Sequence, residues 1–282
     1  MNIGIFIDNT NKNWGPGKLA LNTIKGLERN NINHKINDFF DYNLCVSGNQ
    51  FQWKFYGHNV KNPIIGPCSF NDPSQYGQVF NLYPKFLVAS DWYKKNWMSY
   101  GVEESKLDSW FGGIDTDLFK PNKDLKYDCL ILFKNRGSNE LELIQNVLNK
   151  HNLTSIILSY GNYDENKFID FANSCRFCIV LHNTETQGFA IMEMMSMNLP
   201  MIVFDCNNWE GRFFEATSTP YFDDTCGIKV KQTDLNYQNI ETNLNNFLNN
   251  LERYNPRDFI LNGFTIEHSI INLKQYFSSV WG

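Results

Sequence analysis

The stretch from Cys175 to Asp205 most constrains the fold, because it reads as strand, helix and strand in close succession. Cys175–Leu181 is a short apolar, β-branched run of the kind that fits a buried strand. A polar loop follows, and then a helix over residues 189–197 that ends before Pro200. Met201–Phe204 reads as a second buried strand. Two such strands joined by a helix predict a parallel βαβ unit with a right-handed crossover.

The predicted helix carries apolar residues, many of them methionine, on all sides, so we expect it to be buried all round. Glu193 is the single charge within it. Because an unpaired buried carboxylate is costly, Glu193 must have hydrogen-bond donors around it. A second carboxylate, Glu185, lies in the loop at the carboxyl end of the first strand. Open α/β sheets bind ligands at that edge, so both carboxylates are candidate site residues.

The start of the same helix, at Gly188, Phe189 and Ala190, is a predicted anion site. Its first backbone N–H groups point outward and carry the positive end of the helix dipole, which suits a phosphate. A sugar nucleotide would fit such a site, because its phosphate suits the helix start and its hydroxyls can donate hydrogen bonds to the two carboxylates. The alternative interpretation is an ordinary βαβ unit with a stray glutamate.

Two segments of the chain resemble one family. Seven residues separate Glu185 from Glu193, in a segment that ends at Leu199–Pro200. This arrangement resembles the E-x7-E motif of the retaining GT-B glycosyltransferases of family 4. Lys106–Pro121 resembles the run of that family that leads to the linker between its domains. The matching residues there are Gly113, Ile114, Asp115, Phe119 and Pro121. Both segments stand in the family's chain order.

The resemblance implies an α/β fold of the GT-B type, with two Rossmann-like domains whose parallel sheets face a cleft. Residues 1–120 are then an N-terminal acceptor domain, and residues 121–262 a C-terminal nucleotide-sugar domain. Residues 263–282 are expected to form a C-terminal helix that crosses back to the first domain.

The resemblance also implies roles for individual side chains. Glu185 would bind hydroxyls of the donor sugar, and Glu193 the ribose of the nucleotide. Lys134 and Arg136, after the strand predicted over Tyr127–Phe133, would hold the diphosphate, although the KNRG pattern departs from the family's spacing. The alternative for this pair is two solvated loop cations. His58 is expected to touch the donor sugar, and an ordinary structural histidine is the alternative.

Gly15 and Gly17 follow the first predicted strand, Asn2–Asp8, in a loop that precedes a helix from Leu19. Strand, glycine-rich loop and helix together let a backbone approach a phosphate. The spacing is not G-x-G-x-x-G, so a dinucleotide site is poorly supported. The resemblance places such a loop near the donor diphosphate and the acceptor, and a turn without a ligand is the alternative.

The implied reaction moves a hexose from a UDP- or GDP-linked sugar to a glycan, glycolipid or protein-linked acceptor, with retention and without metal or cofactor. Asp115–Asp117 has a D-x-D pattern, but it lies in the linker-side run, so no metal site is expected. A non-catalytic sugar- or nucleotide-binding relic stays open, because Gly112 and the KNRG pattern depart from the family. An oxidoreductase on a Rossmann scaffold is disfavoured by the missing G-x-G-x-x-G.

Composition bounds the remaining expectations. A net charge of −5 and a pI near 5.6 show no nucleic-acid footprint. No stretch approaches membrane-spanning length, which leaves peripheral membrane contact open. Met1–Asp8 lacks the features of a signal peptide.

Seven scattered cysteines indicate reduced thiols and a cytoplasmic location. Cys175 and Cys178 fall on opposite faces of a strand, which disfavours zinc or redox use.

Overall fold

A computed structural model describes residues 1–8, 10–11, 15–47, 55, 59–68, 73, 83, 85–161 and 164–282. The chain divides into two compact units, Met1–Gly113 with Gly263–Gly282, and Ile114–Asn262. The division falls a little before the predicted boundary at residue 120. Each unit is built around one parallel sheet with helices, so the predicted α/β class with two parallel-sheet domains is confirmed.

The first unit contains a six-stranded sheet in the order β2-β1-β3-β4-β5-β6, and every pair in it is parallel. Its strands are β1 Ile3–Phe6, β2 His34–Ile36, β3 Tyr42–Ser47, β4 Pro63–Cys68, β5 Phe86–Val88 and β6 Leu107–Ser109. Helix α1 spans Gly15–Arg29 and helix α2 spans Asp91–Ser99. Buried side chains on β1, β3, β4 and β5 form the centre of this unit.

The start of α1 corrects one sequence prediction. Gly15 and Gly17 do not lie in a loop, because α1 begins at Gly15 and includes both residues in its first turn. Pro16 fits there, since first-turn N–H groups have no partner within a helix. A Cβ on Gly17 would overlap the backbone of Asn11. Close backbone packing, rather than freedom in a turn, therefore requires glycine at position 17.

The second unit contains a five-stranded sheet in the order β11-β10-β9-β7-β8, again with parallel pairs throughout. Its strands are β7 Tyr127–Lys134, β8 Ser155–Ser159, β9 Cys175–His182, β10 Met201–Asp205 and β11 Gly227–Lys231. Its helices are α3 Ser138–Lys150, α4 Glu165–Asn173, α5 Phe189–Ser196, α6 Tyr237–Asn249 and α7 Pro256–Leu261. The predicted βαβ unit is confirmed as β9, α5 and β10, and α5 is buried along most of its length.

The strand order defines a switch point in the second sheet. From β7 the chain passes to β8 on one side, and then crosses to β9 on the other side of β7. The carboxyl ends of β7 and β9 therefore flank the place where open α/β sheets bind ligands. The register of these strands pairs Lys134 with His182 at that edge.

The last helix, α8, spans Ile266–Trp281 and completes the first unit. Trp110 Nε1 donates to Ser269 O at 2.9 Å, and Tyr276 OH donates to Ser109 O at 2.6 Å. The helix also packs closely against α1, because a Cβ added at Gly26 would lie only 2.6 Å from Ile270 Cγ1. These contacts fix α8 to the residues that follow β6.

We expect Gly113→Ala to destabilise the first unit. A Cβ there would overlap Ile266 Cα and Thr265 O, which are backbone atoms that cannot move aside cheaply. Overpacking of this kind costs about 1–3 kcal/mol. Thermal unfolding measures the loss. Gly15→Ala is the matched control, because no atom of the described residues lies within 4 Å of its Cβ position and alanine favours a helix. Equal stability of the two variants would contradict the packing at Gly113.

Candidate functional site

Lys134 and Glu185 meet at the switch point of the second sheet. Lys134 ends β7, and Glu185 lies in the loop after β9. The Lys134 Nζ lies 2.6 Å from Glu185 Oε1, and both side chains are partly buried. Asn183 N also donates to Lys134 O at 3.1 Å, which extends the pairing of the two strands into the loop. The structure thus joins two of the residues that the sequence singled out.

The Glu185 carboxylate is held in its ionised form. Burial raises its pKa, but the polar ring of His182 close by and the charge and hydrogen bond of Lys134 together outweigh burial, so that the pKa lies below the usual value for glutamate. Glu185 is therefore an acceptor of hydrogen bonds at neutral pH. Such charge-assisted hydrogen bonds are stronger than neutral ones.

Tyr160 adds an aromatic ring to the same edge. It follows β8, and its N–H donates to Phe133 O at 3.1 Å. The Lys134 Nζ lies 4.3 Å from the centre of its ring, within the range of a cation–π contact. The side chain is 51% exposed. Sequence analysis missed Tyr160, because a tyrosine after a strand carries no signal until the neighbouring strand is known.

His182 lies beside Glu185, with its side chain 4% exposed. Its Nδ1 is 3.3 Å from Glu185 Oε1, but without the alignment of a hydrogen bond, and its Nε2 also makes none. Burial lowers the pKa of the imidazole more than Glu185 raises it. His182 is therefore neutral at pH 7.

The loop that carries Glu185 ends at Gly188, the N-cap of α5. Gly188 has φ 81° and ψ 53°, the left-handed conformation that favours glycine. Its carbonyl accepts from Ile191 N and Met192 N, both at 3.1 Å. The N–H groups at the start of the helix, at Phe189 and Ala190, have no acceptor within the helix. The predicted anion cradle is thus a true helix start next to Glu185.

Glu193 lies one turn further along α5 from Phe189, and its residue is 1% exposed. Its burial confirms the expectation from the apolar helix pattern. Residues four apart on a helix share a face, so Glu193 lies on the face of Phe189, one turn after the first N–H groups of α5. Its role toward a ribose stays a prediction.

Arg136 lies away from Glu185, although it is only two residues from Lys134. Its side chain is 3% exposed and makes two hydrogen bonds to Glu140, of 2.8 and 2.9 Å. Its Nη1 donates to His182 O at 2.9 Å and to Phe204 O at 2.8 Å. Arg136 therefore ties together the carboxyl ends of β9 and β10. Its predicted contact with a diphosphate stays a prediction.

Asn135 explains why the two cations separate. Its φ of 53° lies in the left-handed region, which asparagine tolerates better than most residues. In an extended strand Lys134 and Arg136 would point to the same face. The left-handed residue between them breaks that alternation, so Lys134 reaches Glu185 while Arg136 reaches Glu140.

The loop after β10 holds the backbone of Glu185 and His182 in place, and no sequence pattern predicted it. Asp205 Oδ1 accepts from Thr217 Oγ1 at 2.8 Å and from Ser218 N at 2.7 Å. Thr217 O in turn accepts from Glu185 N at 3.0 Å, and Ser218 Oγ donates to His182 O at 3.0 Å. Short polar residues in a loop have no periodic pattern, so only the fold reveals this network.

Three further predicted site residues precede the second unit in the chain. Gly15 and Gly17 open α1 in the first unit. His58 lies outside the described residues. Within the part of the chain that the structure describes, no group of three or more His, Cys, Asp or Glu side chains could hold a metal ion. Among the same residues no helix is both long and apolar enough to span a membrane.

Comparison with known proteins identifies the fold. No protein family model and no curated protein sequence matches the chain. Anabaena HepE in complex with UDP and glucose superposes with a TM-score of 0.64 at 11% identity, over 99% of this chain and 100% of that one. The lipopolysaccharide outer core galactosyltransferase WaaB superposes with a TM-score of 0.65 at 10% identity, over 99% of this chain and 99% of that one.

TarM gives a TM-score of 0.58 at 13% identity over 92% of this chain, which spans 58% of TarM. At these identities the likeness shows the fold alone. It is the GT-B fold, as the sequence predicted.

We expect Glu140→Gln to destabilise the second unit by about 2–4 kcal/mol at pH 7, because it leaves the buried Arg136 guanidinium without its counter-ion. The hydrogen bond and charge of Arg136 lower the pKa of Glu140. The pair therefore stabilises the fold above pH 4.5, and its contribution is lost as the pH falls through the lowered pKa.

Thermal unfolding between pH 3 and pH 7 tests this expectation. The wild type and the Glu140→Gln variant should converge at the acid end. Glu142→Gln, on the exposed side of the same helix, is the matched control and should behave like the wild type throughout. A Glu140→Gln variant as stable as Glu142→Gln at pH 7 would show that the ion pair contributes nothing.

Proposed function

We propose that this chain is a retaining glycosyltransferase that moves a hexose from a UDP- or GDP-linked sugar to a glycan, lipid or protein-linked acceptor. One observation carries the proposal. The contact of 2.6 Å between Lys134 and Glu185 places a cation and an ionised carboxylate beside the open start of α5. This arrangement lies at the switch point of the second sheet, where ligands bind in open α/β folds.

Positive charge at this edge suits the leaving group. As the bond from the anomeric carbon to the diphosphate oxygen breaks, the sugar ring becomes oxocarbenium-like and the diphosphate gains negative charge. Lys134 and the N–H groups of Phe189 and Ala190 would stabilise that charge as it develops. Interactions that strengthen in the transition state are the ones that accelerate the reaction.

The carboxylates bind rather than react. Glu185 would accept hydrogen bonds from hydroxyls of the donor sugar, and Glu193 from the ribose. The acceptor oxygen forms the new bond on the face that the diphosphate leaves, and its proton passes to the departing phosphate oxygen. No side-chain base is needed, so the spacing rule for the two carboxylates of glycosidases does not apply to this pair.

The solved structures of like fold support a nucleotide sugar as donor. HepE was solved with UDP, with UDP-glucose, and with UDP and glucose, and TarM with UDP. We further propose that the reaction needs no metal or cofactor, since Lys134 and the helix start can supply the positive charge. The seven cysteines, all free thiols, support a cytoplasmic location.

A panel of donors tests the proposed function. Thermal shift with UDP, GDP and their glucose, galactose, N-acetylglucosamine and mannose derivatives identifies the ligand, because a bound ligand stabilises the folded state. Release of UDP or GDP from the strongest binder, with EDTA present, then tests turnover. NMR of the anomeric proton of the product reports retention. Failure of every nucleotide to bind would overturn the proposal.

A binding relic without turnover is the second candidate, and one observation favours it. Both predicted phosphate cations are already paired within the protein, Lys134 with Glu185 and Arg136 with Glu140. Nucleotide binding with no release of UDP or GDP, in the presence of a broad set of acceptors, would support the relic.

We expect Lys134→Met to weaken UDP binding about tenfold or more, because it removes the ammonium proposed to contact the diphosphate. Isothermal titration with UDP measures the change. Lys231→Met is the matched control, since it removes the same charge from the exposed end of β11 at the far edge of the sheet. Equal UDP affinity in the two variants would remove Lys134 from the site.

We expect Glu185→Ala and Glu193→Ala to fail in different ways. Without Glu185 the donor sugar loses its acceptor, so turnover should fall about a hundredfold while UDP affinity changes little. Without Glu193 the ribose loses its acceptor, so UDP binding itself should weaken and transfer should be abolished. Steady-state kinetics and UDP titration separate the two effects. Wild-type values in both variants would refute the site.

A further inference from the structure

His182 is a buried histidine that packing alone does not explain. It ends a strand whose preceding residues, Ile179 to Leu181, are fully buried and apolar. Neither of its ring nitrogens makes a hydrogen bond. An unpaired buried polar group destabilises the fold, and an apolar residue at this position would avoid that cost. An unsatisfied group of this kind in a candidate site calls for a functional explanation.

The ring is aimed at one atom of the proposed site. His182 Nδ1 lies 3.3 Å from Glu185 Oε1, the same oxygen that Lys134 Nζ contacts at 2.6 Å. The backbone of His182 is fixed, because its carbonyl accepts from Arg136 Nη1 at 2.9 Å and from Ser218 Oγ at 3.0 Å. Lys134 instead reaches Glu185 through a flexible four-carbon chain. Between Lys134 and His182, His182 is therefore the one whose backbone is anchored.

We propose that His182 is a positioning residue that takes over Glu185 when Lys134 turns to the donor diphosphate. The inference rests on the proposed function. In the tautomer with its proton on Nδ1, the ring donates to Glu185 Oε1 once the ammonium has left that oxygen. A small rotation of the Glu185 carboxylate is enough to align the two groups over 3.3 Å.

The exchange needs no proton from solution. The charged groups that act on the ring are Glu185, Lys134 and Arg136, and burial is the largest influence. Burial and the two cations lower the pKa of His182, and Glu185 only partly opposes them. A neutral imidazole carries one N–H, which is all that the new hydrogen bond requires. Glu185 then stays ionised and oriented toward the sugar hydroxyls in the loaded site.

Three variants test which ring nitrogen matters. His182→Asn places an amide N–H near the position of Nδ1, His182→Gln places one near Nε2, and His182→Leu has no donor. The first measurement is UDP release from the donor that the panel identifies. We expect His182→Asn to keep most of the turnover, and His182→Gln and His182→Leu to lose about ten- to a hundredfold in kcat.

A purely structural role would not sort the variants in this way. UDP affinity should stay within about twofold of wild type in all three, because UDP lacks the donor hexose that Glu185 is proposed to bind. KM for the donor should change much less than kcat. Equal turnover in the asparagine, glutamine and leucine variants would overturn the inference and leave the proposed function standing.

A second measurement needs no ligand. In the wild type, His182→Leu should leave Tm unchanged or raise it, because it removes an unpaired buried polar group. In a Lys134→Met background the same change should lower Tm by about 2–4 °C, because the Glu185 carboxylate then lacks both the ammonium and the imidazole beside its Oε1. Identical effects in the two backgrounds would overturn the inference. A wild type that binds no nucleotide would instead contradict the proposed function.

Discussion

The ion pair between Lys134 and Glu185 is the interaction on which the candidate site depends. It joins the ends of two neighbouring parallel strands, β7 and β9, across the switch point of the second sheet. A partly buried pair of this kind contributes little net stability, because desolvation offsets much of the Coulomb attraction. Its value is positional, since it holds an ionised carboxylate at the edge where a ligand would arrive. The start of α5 at Gly188 adds a second source of positive potential beside this carboxylate.

A second set of contacts surrounds this pair and fixes the strand ends that carry it. Arg136 joins the ends of β9 and β10 through their carbonyl groups and is neutralised by Glu140. Asp205 organises the loop after β10, and Thr217 in that loop fixes the backbone of Glu185. Such support matters because a catalytic group displaced by about 1 Å can lose a hundredfold in rate.

The strongest predictions came from segments whose pattern fits one structure only. The apolar runs around α5 cannot be exposed, so burial and strand pairing followed directly, and the burial of Glu193 followed from its neighbours. Prediction failed where local patterns are ambiguous. No strand was predicted at His34–Ile36 or Tyr42–Ser47, where polar residues interrupt the apolar ones. Gly15 and Gly17 suggested a loop although they open a helix. Glycine marks both flexible turns and close packing, and only the position of Asn11 distinguishes the two.

By itself the sequence determined the residue types available to the site and the spacing of Glu185 and Glu193 along one loop and one helix. The strand, helix and strand pattern of residues 175–204 also indicated a parallel sheet, and the resemblance to GT-B glycosyltransferases implied a second one. Only the tertiary structure decided which cation meets Glu185. Lys134 and Arg136 are equivalent in the sequence, but the left-handed backbone of Asn135 and the pairing of β7 with β9 send them to different carboxylates. Charge partners depend on distances between strands, and those distances exist only once the sheet has formed.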